Sequence, residues 1–257
     1  MRISLAGRRV LVTGATQGLG EAIAHAVRDC GAGAIAISGR DAARGAIVAA
    51  ELGPTASFHA ADLADPEAPI RLFASAREAM GGIDALVNAA GLTTRGSFLN
   101  GTLADWETLF AVNARAPFLL MQALIRDLVA AGRPGSIVNI QSINAHCGAA
   151  DLAMYSASKG ALATLTRNAA AAHLGDRIRV NGINMGWAAT AGERKMQAET
   201  LGKGPGWEAD AAARMPLGRL LQVEEVAALT VYLLSDLSGL QTGTVTDLEQ
   251  RVLGSNP

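Results

Sequence analysis

Short apolar runs alternate with helical stretches along this chain, and this alternation constrains the fold more than any other feature. Val10-Leu11-Val12 and Ala85-Leu86-Val87 are apolar at every position, unlike a strand with one face in water. Strands that are apolar on both faces and are separated by helices call for a parallel sheet covered on both sides. We therefore expect an α/β fold with a doubly wound parallel sheet and helices on both faces.

The predicted strands are short and are separated by helical stretches. They cover residues 10–12, 34–38, 57–60, 85–87, 136–140, 178–183 and 243–247. No repeat, low-complexity segment or linker interrupts the pattern, so we expect a single domain spanning residues 1–257. Residues 188–215 are polar, contain glycine and follow no clear period. We predict that they are irregular and form a mobile lid over the substrate.

Composition and charge exclude several classes of partner. The net charge is -1 and no basic run occurs, so neither a nucleic acid nor a membrane surface is expected as a partner. No apolar run approaches the roughly 20 residues that cross a bilayer, and the N-terminus lacks the apolar core of a signal peptide. Cys30 and Cys147 are too few for a disulfide framework. We expect a cytoplasmic protein without a metal site.

A glycine-rich loop stands between the first strand and the first helix. Gly14, Gly18 and Gly20 follow the spacing Gly-x-x-x-Gly-x-Gly, a variant of the usual dinucleotide fingerprint. Glycines at this place let backbone amides approach a pyrophosphate, and the helix N-terminus adds positive potential. We expect this loop to bind a dinucleotide, with contacts that also involve Thr16, Gln17 and Leu19.

The next loops offer contacts for an adenosine. The second strand ends in Ser38-Gly39-Arg40 and lacks the acidic residue that would bind a ribose 2′-hydroxyl. An arginine there suits a 2′-phosphate, so Arg40 favours NADP slightly over NAD, although it is equally compatible with a solvated loop residue. Asp62 and Leu63, after the third strand, are candidates for the adenine edge.

Tyr155 and Lys159 lie four residues apart in a predicted helix, so their side chains share one face. A phenol has a pKa of about 10 in water, and a nearby cation lowers it. Such a pair can pass a proton near neutral pH. Taken alone the pair is weak evidence, because many ordinary helices carry Tyr and Lys at this spacing.

Together these residues resemble the classical short-chain dehydrogenase/reductase family over essentially the whole chain. The motifs that carry the resemblance occur in order and are Thr13-Gly14-x-x-x-Gly18-x-Gly20, Asp62, Asn88-Ala89-Ala90-Gly91, Asn113, Ser142 and Tyr155-x-x-x-Lys159. The resemblance implies a Rossmann-type sheet of about seven parallel strands, a nicotinamide cofactor, and a homodimer or homotetramer.

The resemblance also implies roles for single residues. Tyr155 would be the general acid/base, and Ser142 would polarise the substrate oxygen. Lys159 would bind the nicotinamide ribose and lower the pKa of Tyr155. Asn113 would hold a water that links Lys159 to solvent. Further cofactor contacts are expected along the loops after the fourth and sixth strands, at Asn88, Ala89, Ala90, Gly91, Gly186, Ala188 and Thr190.

Two segments depart from the family pattern. After the sixth strand the usual Pro-Gly is replaced by Met185-Gly186, which leaves the geometry of that loop open. The usual Asp-Gly-Gly near the C-terminus is replaced by Asp247-Leu248-Glu249-Gln250. Because this tail usually lies at subunit contacts in the family, we expect the assembly or a neighbouring pocket to differ in detail.

The predicted substrate pocket is polar. Asn144 and His146 can donate or accept hydrogen bonds, Trp187 stands at the start of the lid, and Ser142 and Tyr155 complete the set. His146 is equally compatible with a plain surface position. The lid lacks a continuous apolar wall, which argues against steroids and long acyl chains. We therefore predict an NAD(P)-dependent enzyme that interconverts a secondary alcohol and a ketone in a sugar, polyol or sugar acid.

Three alternatives are weaker. A 3-oxoacyl-[acyl-carrier-protein] reductase needs a basic docking patch, whereas Arg95, Arg115 and Arg126 are scattered. An enoyl reductase needs a longer interval between tyrosine and lysine. A cofactor-binding sensor without catalysis typically lacks the tyrosine or the lysine, and this chain has both.

Overall fold

A computed structural model describes residues 2–252, with the side chain of residue 191 left aside. It contains one sheet of seven parallel strands in the order β3-β2-β1-β4-β5-β6-β7. The strands are β1 (Arg9–Val12), β2 (Ala34–Gly39), β3 (Ala56–Ala60), β4 (Ala85–Asn88), β5 (Gly135–Ser142), β6 (Ile178–Met185) and β7 (Val245–Leu248). The predicted doubly wound fold is confirmed.

Helices connect these strands and cover both faces of the sheet. They are α1 (Gly18–Asp29), α2 (Ala42–Leu52), α3 (Ala68–Met80), α4 (Leu103–Phe110), α5 (Ala116–Ala130), α6 (Ala153–Ala172), α7 (Ala191–Lys195), α8 (Trp207–Ala213) and α9 (Val223–Leu234). The prediction that residues 188–215 are irregular was wrong, because α7, a π-helical turn (Met196–Thr200) and α8 occupy most of that segment.

The pleat of the central strands divides the core into two layers. Val10 and Val12 of β1 belong to the layer beneath α1, α2 and α9. Leu11, between them, belongs to the layer beneath α3, α5 and α6. All three side chains are fully buried. Apolar residues at every position of β1 are therefore required, since both faces of the strand are covered.

Residues 103–130 form one continuous helical segment, in which a π-helical turn (Ala111–Arg115) joins α4 to α5. Its length and composition would suffice to cross a membrane, but 61% of its most apolar window is buried inside the protein. Leu120, Leu124 and Leu128 of α5 are fully buried between α3 and the sheet. The apolar residues of this helix thus serve the core.

The strand order reverses between β1 and β4, since the chain moves outward to β2 and β3 before returning to the other side of β1. In doubly wound sheets, ligands bind at such a switch point, beyond the carboxyl ends of the strands. Thr13 follows β1 there, and its hydroxyl accepts hydrogen bonds from the amides of Ala89 (3.1 Å) and Ala90 (3.2 Å) after β4. This buried threonine fixes the two strand ends relative to each other.

Candidate active site

A cleft of about 1000 Å³ lies along the carboxyl edge of the sheet and gathers most of the predicted site residues. They are Gly14, Thr16, Gln17, Gly18, Leu19, Gly20, Arg40, Asp62, Leu63, Ala89, Ala90, Gly91, Ser142, Asn144, Tyr155, Lys159, Gly186, Trp187, Ala188 and Thr190. Within the described residues, Asn88, Asn113 and His146 are predicted site residues that do not line it. The cleft runs from Arg40 at one end to the lid at the other.

The glycine loop is shaped by close backbone contacts. A Cβ atom on Gly14 would lie 2.6 Å from the Cα atom of Ala90, and one on Gly20 would lie 2.2 Å from the carbonyl oxygen of Gly14. Gly14 and Gly18 also have positive φ values of 66° and 60°, which side chains disfavour. Only glycine fits positions 14 and 20, and the positive φ favours glycine at position 18, so the loop can bring its backbone directly to the wall of the cleft.

The N-terminus of α1 faces this cleft without a side-chain cap. Gln17 occupies the cap position, but its side chain makes no cap hydrogen bond. Instead its amide oxygen accepts a hydrogen bond from Arg44, a residue of α2 that sequence reasoning missed. The amides of the first turn of α1 are therefore left for a ligand, and their positive potential suits a phosphate.

Tyr155 and Ser142 meet at the floor of the cleft. Ser142 ends β5, and its hydroxyl accepts hydrogen bonds from the backbone amide (3.2 Å) and side-chain amide (3.3 Å) of Asn144. The phenol of Tyr155 is almost completely buried. Burial raises its pKa, a hydrogen bond with Ser142 opposes that rise, and the charge of Glu193 adds to it.

Lys159 is buried beside Tyr155, with its Nζ atom 6.0 Å from the centre of the phenol ring. The ammonium donates a 3.0 Å hydrogen bond to the carbonyl oxygen of Ile140 in β5. Burial lowers its pKa to about 8. Burial is the largest influence on the Tyr155 pKa and raises it, so a lowering of that pKa by Lys159 stays a prediction. Burial disfavours the charged form of both groups.

Asn113 lies in the π-helical turn and is fully buried. Its side chain donates to the carbonyl oxygen of Leu92 (2.9 Å) and to the hydroxyl of Ser158 (3.0 Å), and it accepts from the amide of Leu92 (2.9 Å). Gly91 adjoins both Asn113 and Lys159, since a Cβ atom there would lie 3.5 Å and 3.3 Å from their polar ends. A π-helical turn in a long helix often marks a functional site, and here it sets Asn113 beneath Lys159. The water-holding role stays a prediction.

Asn88 was predicted to contact the cofactor, but its side chain does not line the cleft. Its side chain lies inside the sheet, where it donates a 2.8 Å hydrogen bond to Asn139 of the neighbouring strand β5. Asn139 in turn donates to the hydroxyl of Thr166 on α6 at 2.9 Å. The asparagine therefore ties β4 and β5 to the helix that carries Tyr155, which is a supporting position rather than a wall of the cleft.

His146 was predicted to contact the substrate, and the structure places it elsewhere. Its ring nitrogen Nε2 lies 2.9 Å from a carboxylate oxygen of Asp247 in β7, and Asn184 of β6 donates to that oxygen at 2.8 Å. The hydrogen bonds from His146 and Asn184 lower the pKa of Asp247 against the opposing effect of burial. Asp247 thus has a partner 101 residues away, which sequence reasoning missed.

The lid adds polar groups that sequence reasoning did not single out as substrate contacts. Glu193 and Gln197 line the cleft opposite its floor. One carboxylate oxygen of Glu193, Oε1, accepts from the indole nitrogen of Trp187 (2.8 Å) and from the amide of Gln197 (2.6 Å). Trp187 also packs against Trp207 of α8, with ring centres 5.8 Å apart. These partners hold the Glu193 carboxylate in one place.

The C-terminal segment contacts the end of the lid and the residues just after it. The side chain of Gln250 accepts a hydrogen bond from the amide of Leu217 (2.9 Å) and donates to the carbonyl oxygen of Arg219 (2.6 Å). Arg251 donates to the carbonyl oxygen of Arg214 at 2.8 Å. Glu249 lines the cleft beside Gly186. The departure from the family's usual tail therefore has a physical role at the substrate end of the cleft.

Another group of titratable residues lies outside the cleft. Glu21, His25 and Glu51 can each place one ligand atom within 4.8 Å of the others. His25 lies 3.6 Å from Glu51, so a contact between these two side chains accounts for part of this cluster. Nothing else there points to a metal ion.

Comparison with known proteins agrees with this geometry. A family model described as enoyl-(acyl carrier protein) reductase matches residues 14–249. The L-xylulose reductase of Bos taurus is 35% identical over 97% of this chain and 98% of its own length. The gluconate 5-dehydrogenase of Gluconobacter oxydans is 34% identical over 94% and 93%. The chain belongs to the short-chain dehydrogenase/reductase family.

A solved structure gives the same result for the fold. The L-sorbose reductase of Gluconobacter frateurii, solved with NADPH and L-sorbose, superposes with a TM-score of 0.92 at 27% identity and covers 100% of both chains. The residues of this cleft fit a dinucleotide, since the glycines leave a cradle that a Cβ atom would fill and α1 is uncapped there. The chain is an NAD(P)-dependent oxidoreductase that acts on CH–OH groups.

Proposed function

We propose that this short-chain dehydrogenase/reductase interconverts a secondary alcohol and a ketone in a small polyhydroxylated substrate, and that it prefers NADP to NAD. The observation that carries the proposal is the continuous cleft in which Ser142 and Tyr155 face a polar wall. Asn144, Glu193 and Gln197 supply donors and acceptors there, which suits hydroxyl groups better than an acyl chain. Similarity to an L-xylulose reductase and a gluconate 5-dehydrogenase supports this substrate class.

The proposed chemistry assigns one task to each group on the floor of the cleft. Tyr155 takes the proton of the alcohol as it is oxidised, and returns a proton to the carbonyl oxygen in the reverse direction. Ser142 donates a hydrogen bond to the same substrate oxygen. Nicotinamide, when bound, supplies the hydride chemistry. General acid–base help of this kind contributes roughly 10²- to 10⁴-fold in rate.

Lys159 has a second task in this proposal. It holds the nicotinamide ribose through its ammonium, which the Ile140 carbonyl positions. With a pKa of about 8, this lysine changes its charge more easily than an exposed one. It is therefore a suitable route for the proton that Tyr155 gains or loses, and Asn113 stands beside it at the start of that route.

Arg40 supports the preference for NADP, since it is exposed at the adenosine end of the cleft. A charge-assisted contact to the 2′-phosphate is worth about 1.5–3 kcal/mol, or roughly 10- to 100-fold in affinity. We expect Arg40→Gln to weaken NADPH binding by that factor and to leave NADH binding unchanged, as titrated by tryptophan fluorescence. Arg126→Gln, at an exposed position of α5, is the matched control. Equal losses for both cofactors would contradict the assignment.

A substrate screen tests the rest of the proposal. Purified protein with NADP is offered polyols, sugar acids, steroids and 3-hydroxyacyl thioesters, and the reverse reactions are followed with NADPH. We expect turnover of polyhydroxylated substrates. Turnover confined to steroids or acyl thioesters would overturn the substrate class while leaving the family assignment intact.

We further propose that the protein is cytoplasmic, forms a homodimer or homotetramer and consists of one domain with a lid that moves. Cys30 and Cys147 are both unpaired thiols, as in a reducing compartment. Phe118 and Val129 are exposed large apolar side chains on α5, a face suited to a second copy. Light scattering on the purified protein measures the oligomeric state directly.

A further inference from the structure

Glu193 is the charged lid residue that acts on the reacting end of the cleft. It lies in α7, where its backbone amide donates to the hydroxyl of Thr190 (3.1 Å), so the helix start fixes its position. Its carboxylate lines the same cleft as Tyr155. Among the charged groups of that cleft, Glu193 is the one whose charge perturbs the Tyr155 phenol. A substrate bound at Tyr155 therefore lies in the field of this carboxylate.

The two oxygens of this carboxylate differ in what they contact. Oε1 accepts both of the hydrogen bonds described above, from Trp187 and Gln197. Gln197 is almost fully buried, and its own amide oxygen accepts a 2.7 Å hydrogen bond from Lys203. Among the described contacts of Glu193, Oε2 accepts no hydrogen bond from the protein. The lid thus presents a carboxylate oxygen that is held in place and can still accept a hydrogen bond.

The cations of this end of the cleft hydrogen-bond to other groups, but among their described contacts only Arg95 has a carboxylate partner. Arg95 pairs with Asp151 at 2.6 Å. Lys203 donates to Gln197, and Arg251 donates to the carbonyl oxygen of Arg214. A second carboxylate, Glu249, also lines the cleft near Gly186. A substrate carboxylate placed directly against Glu193 would meet a like charge there, whereas a hydroxyl would meet an acceptor.

We propose that Glu193 is a specificity-determining residue, which accepts a hydrogen bond from a substrate hydroxyl and disfavours a carboxylate at that position. The enzyme accordingly acts on neutral polyols and ketoses in preference to sugar acids. This inference rests on the proposed function, and it narrows the predicted substrate class to its uncharged members. Specificity arises here from an attractive contact for one substrate and a repulsive one for the other.

The test uses two substrates that differ at one end. D-sorbitol and D-gluconate have the same internal hydroxyl groups, but one carries a hydroxymethyl group where the other carries a carboxylate. Their kcat/KM values are measured with NADP on the wild-type enzyme. We expect D-sorbitol to be preferred by at least roughly tenfold, the size of one charge-assisted hydrogen bond.

The variant Glu193→Gln keeps an amide oxygen for Trp187 and Gln197 and removes the charge. We expect its kcat/KM to fall about 10- to 100-fold for D-sorbitol and to rise for D-gluconate. The ratio of the kcat/KM for D-sorbitol to that for D-gluconate should therefore decrease, or fall below one. The affinity for NADPH should stay unchanged, which verifies that the variant is folded. Glu199→Gln makes the same change at an exposed lid residue outside the cleft and should preserve the ratio.

Three results separate this inference from the proposed function. Equal kcat/KM values for both substrates in the wild type would overturn the inference and leave the proposed function standing. A ratio that does not change in Glu193→Gln would also overturn it. Oxidation of neither substrate, together with no activity on other polyhydroxylated compounds, would overturn the proposed function itself.

Discussion

The floor of the cleft and its lid are held together in different ways. The floor consists of the glycine loop and the ends of β4 and β5, and its contacts involve the backbone. Thr13 binds two amides after β4, and Gly14 packs directly on the backbone of Ala90. The lid, residues 188–215, relies on pairs of side chains. Trp187 binds Glu193, and Arg194 binds Glu208 at 2.8 Å on the exposed surface.

This difference separates the chemistry from the choice of substrate. The glycine loop offers backbone amides to the phosphates of a dinucleotide, so we expect it to accept the same cofactor whatever the lid contains. Side-chain pairs in the lid can change one at a time, and each change alters what the cleft admits. We therefore expect substitutions in the floor to abolish turnover or alter stability, and substitutions in the lid to alter KM and selectivity.

Tyr155→Phe is expected to have the largest effect. It removes the one hydroxyl proposed to move the proton, and kcat should fall about 10²- to 10⁴-fold with either substrate direction. NADPH binding, measured by fluorescence titration, should remain within about twofold, since the ring still fills its buried site. Tyr232→Phe in α9, the second tyrosine of the chain, should retain activity. Retained turnover in Tyr155→Phe would refute the proposed role.

Lys159→Met should lose activity but gain stability at neutral pH. Burial lowers the pKa of Lys159 from 10.5 to about 8, so at pH 7 the folded protein holds a charged lysine at a cost of about 3 kcal/mol. Methionine removes that cost and also the hydrogen bond to Ile140. We expect a net gain of about 1–3 kcal/mol in the free energy of unfolding, measured by urea denaturation at pH 7. A loss of stability would show that the ammonium contributes more than burial costs.

The pH dependence of this gain follows from the same pKa. Between about pH 8 and pH 10.5, the unfolded chain binds the proton on Lys159 more than the folded protein does. The free energy of unfolding of the wild type therefore rises with pH through this window, relative to that of the methionine variant. The advantage of Lys159→Met should be full below pH 8 and should shrink as the pH approaches 10. An advantage that stays constant from pH 7 to 10 would exclude charge burial as its cause.

The contrast between floor and lid also explains which parts the sequence could predict. The floor depends on short motifs, because local spacing defines both the glycine loop from Gly14 to Gly20 and the pair Tyr155 and Lys159. The alternation of strands and helices then predicts that the elements carrying these motifs meet at one edge of the sheet. The contacts of His146 and Glu193 depend on where distant segments meet. Asp247 is 101 residues from His146, and no periodicity in the sequence relates them. Burial of Lys159 was missed for the same reason, because its desolvation depends on the whole fold.

Gln250→Ala is expected to have the smallest effect and to define where the lid ends. It removes two hydrogen bonds that hold Leu217 and Arg219, each worth about 1 kcal/mol. We expect the KM of the preferred polyol to rise about three- to tenfold, while kcat and NADPH affinity stay nearly unchanged. Gln241→Ala removes a hydrogen bond to Thr244 outside the lid and serves as the control. A lower thermal midpoint without a change in KM would mean that the C-terminal segment supports the fold only, and that the lid is positioned by Trp187 and its partners alone.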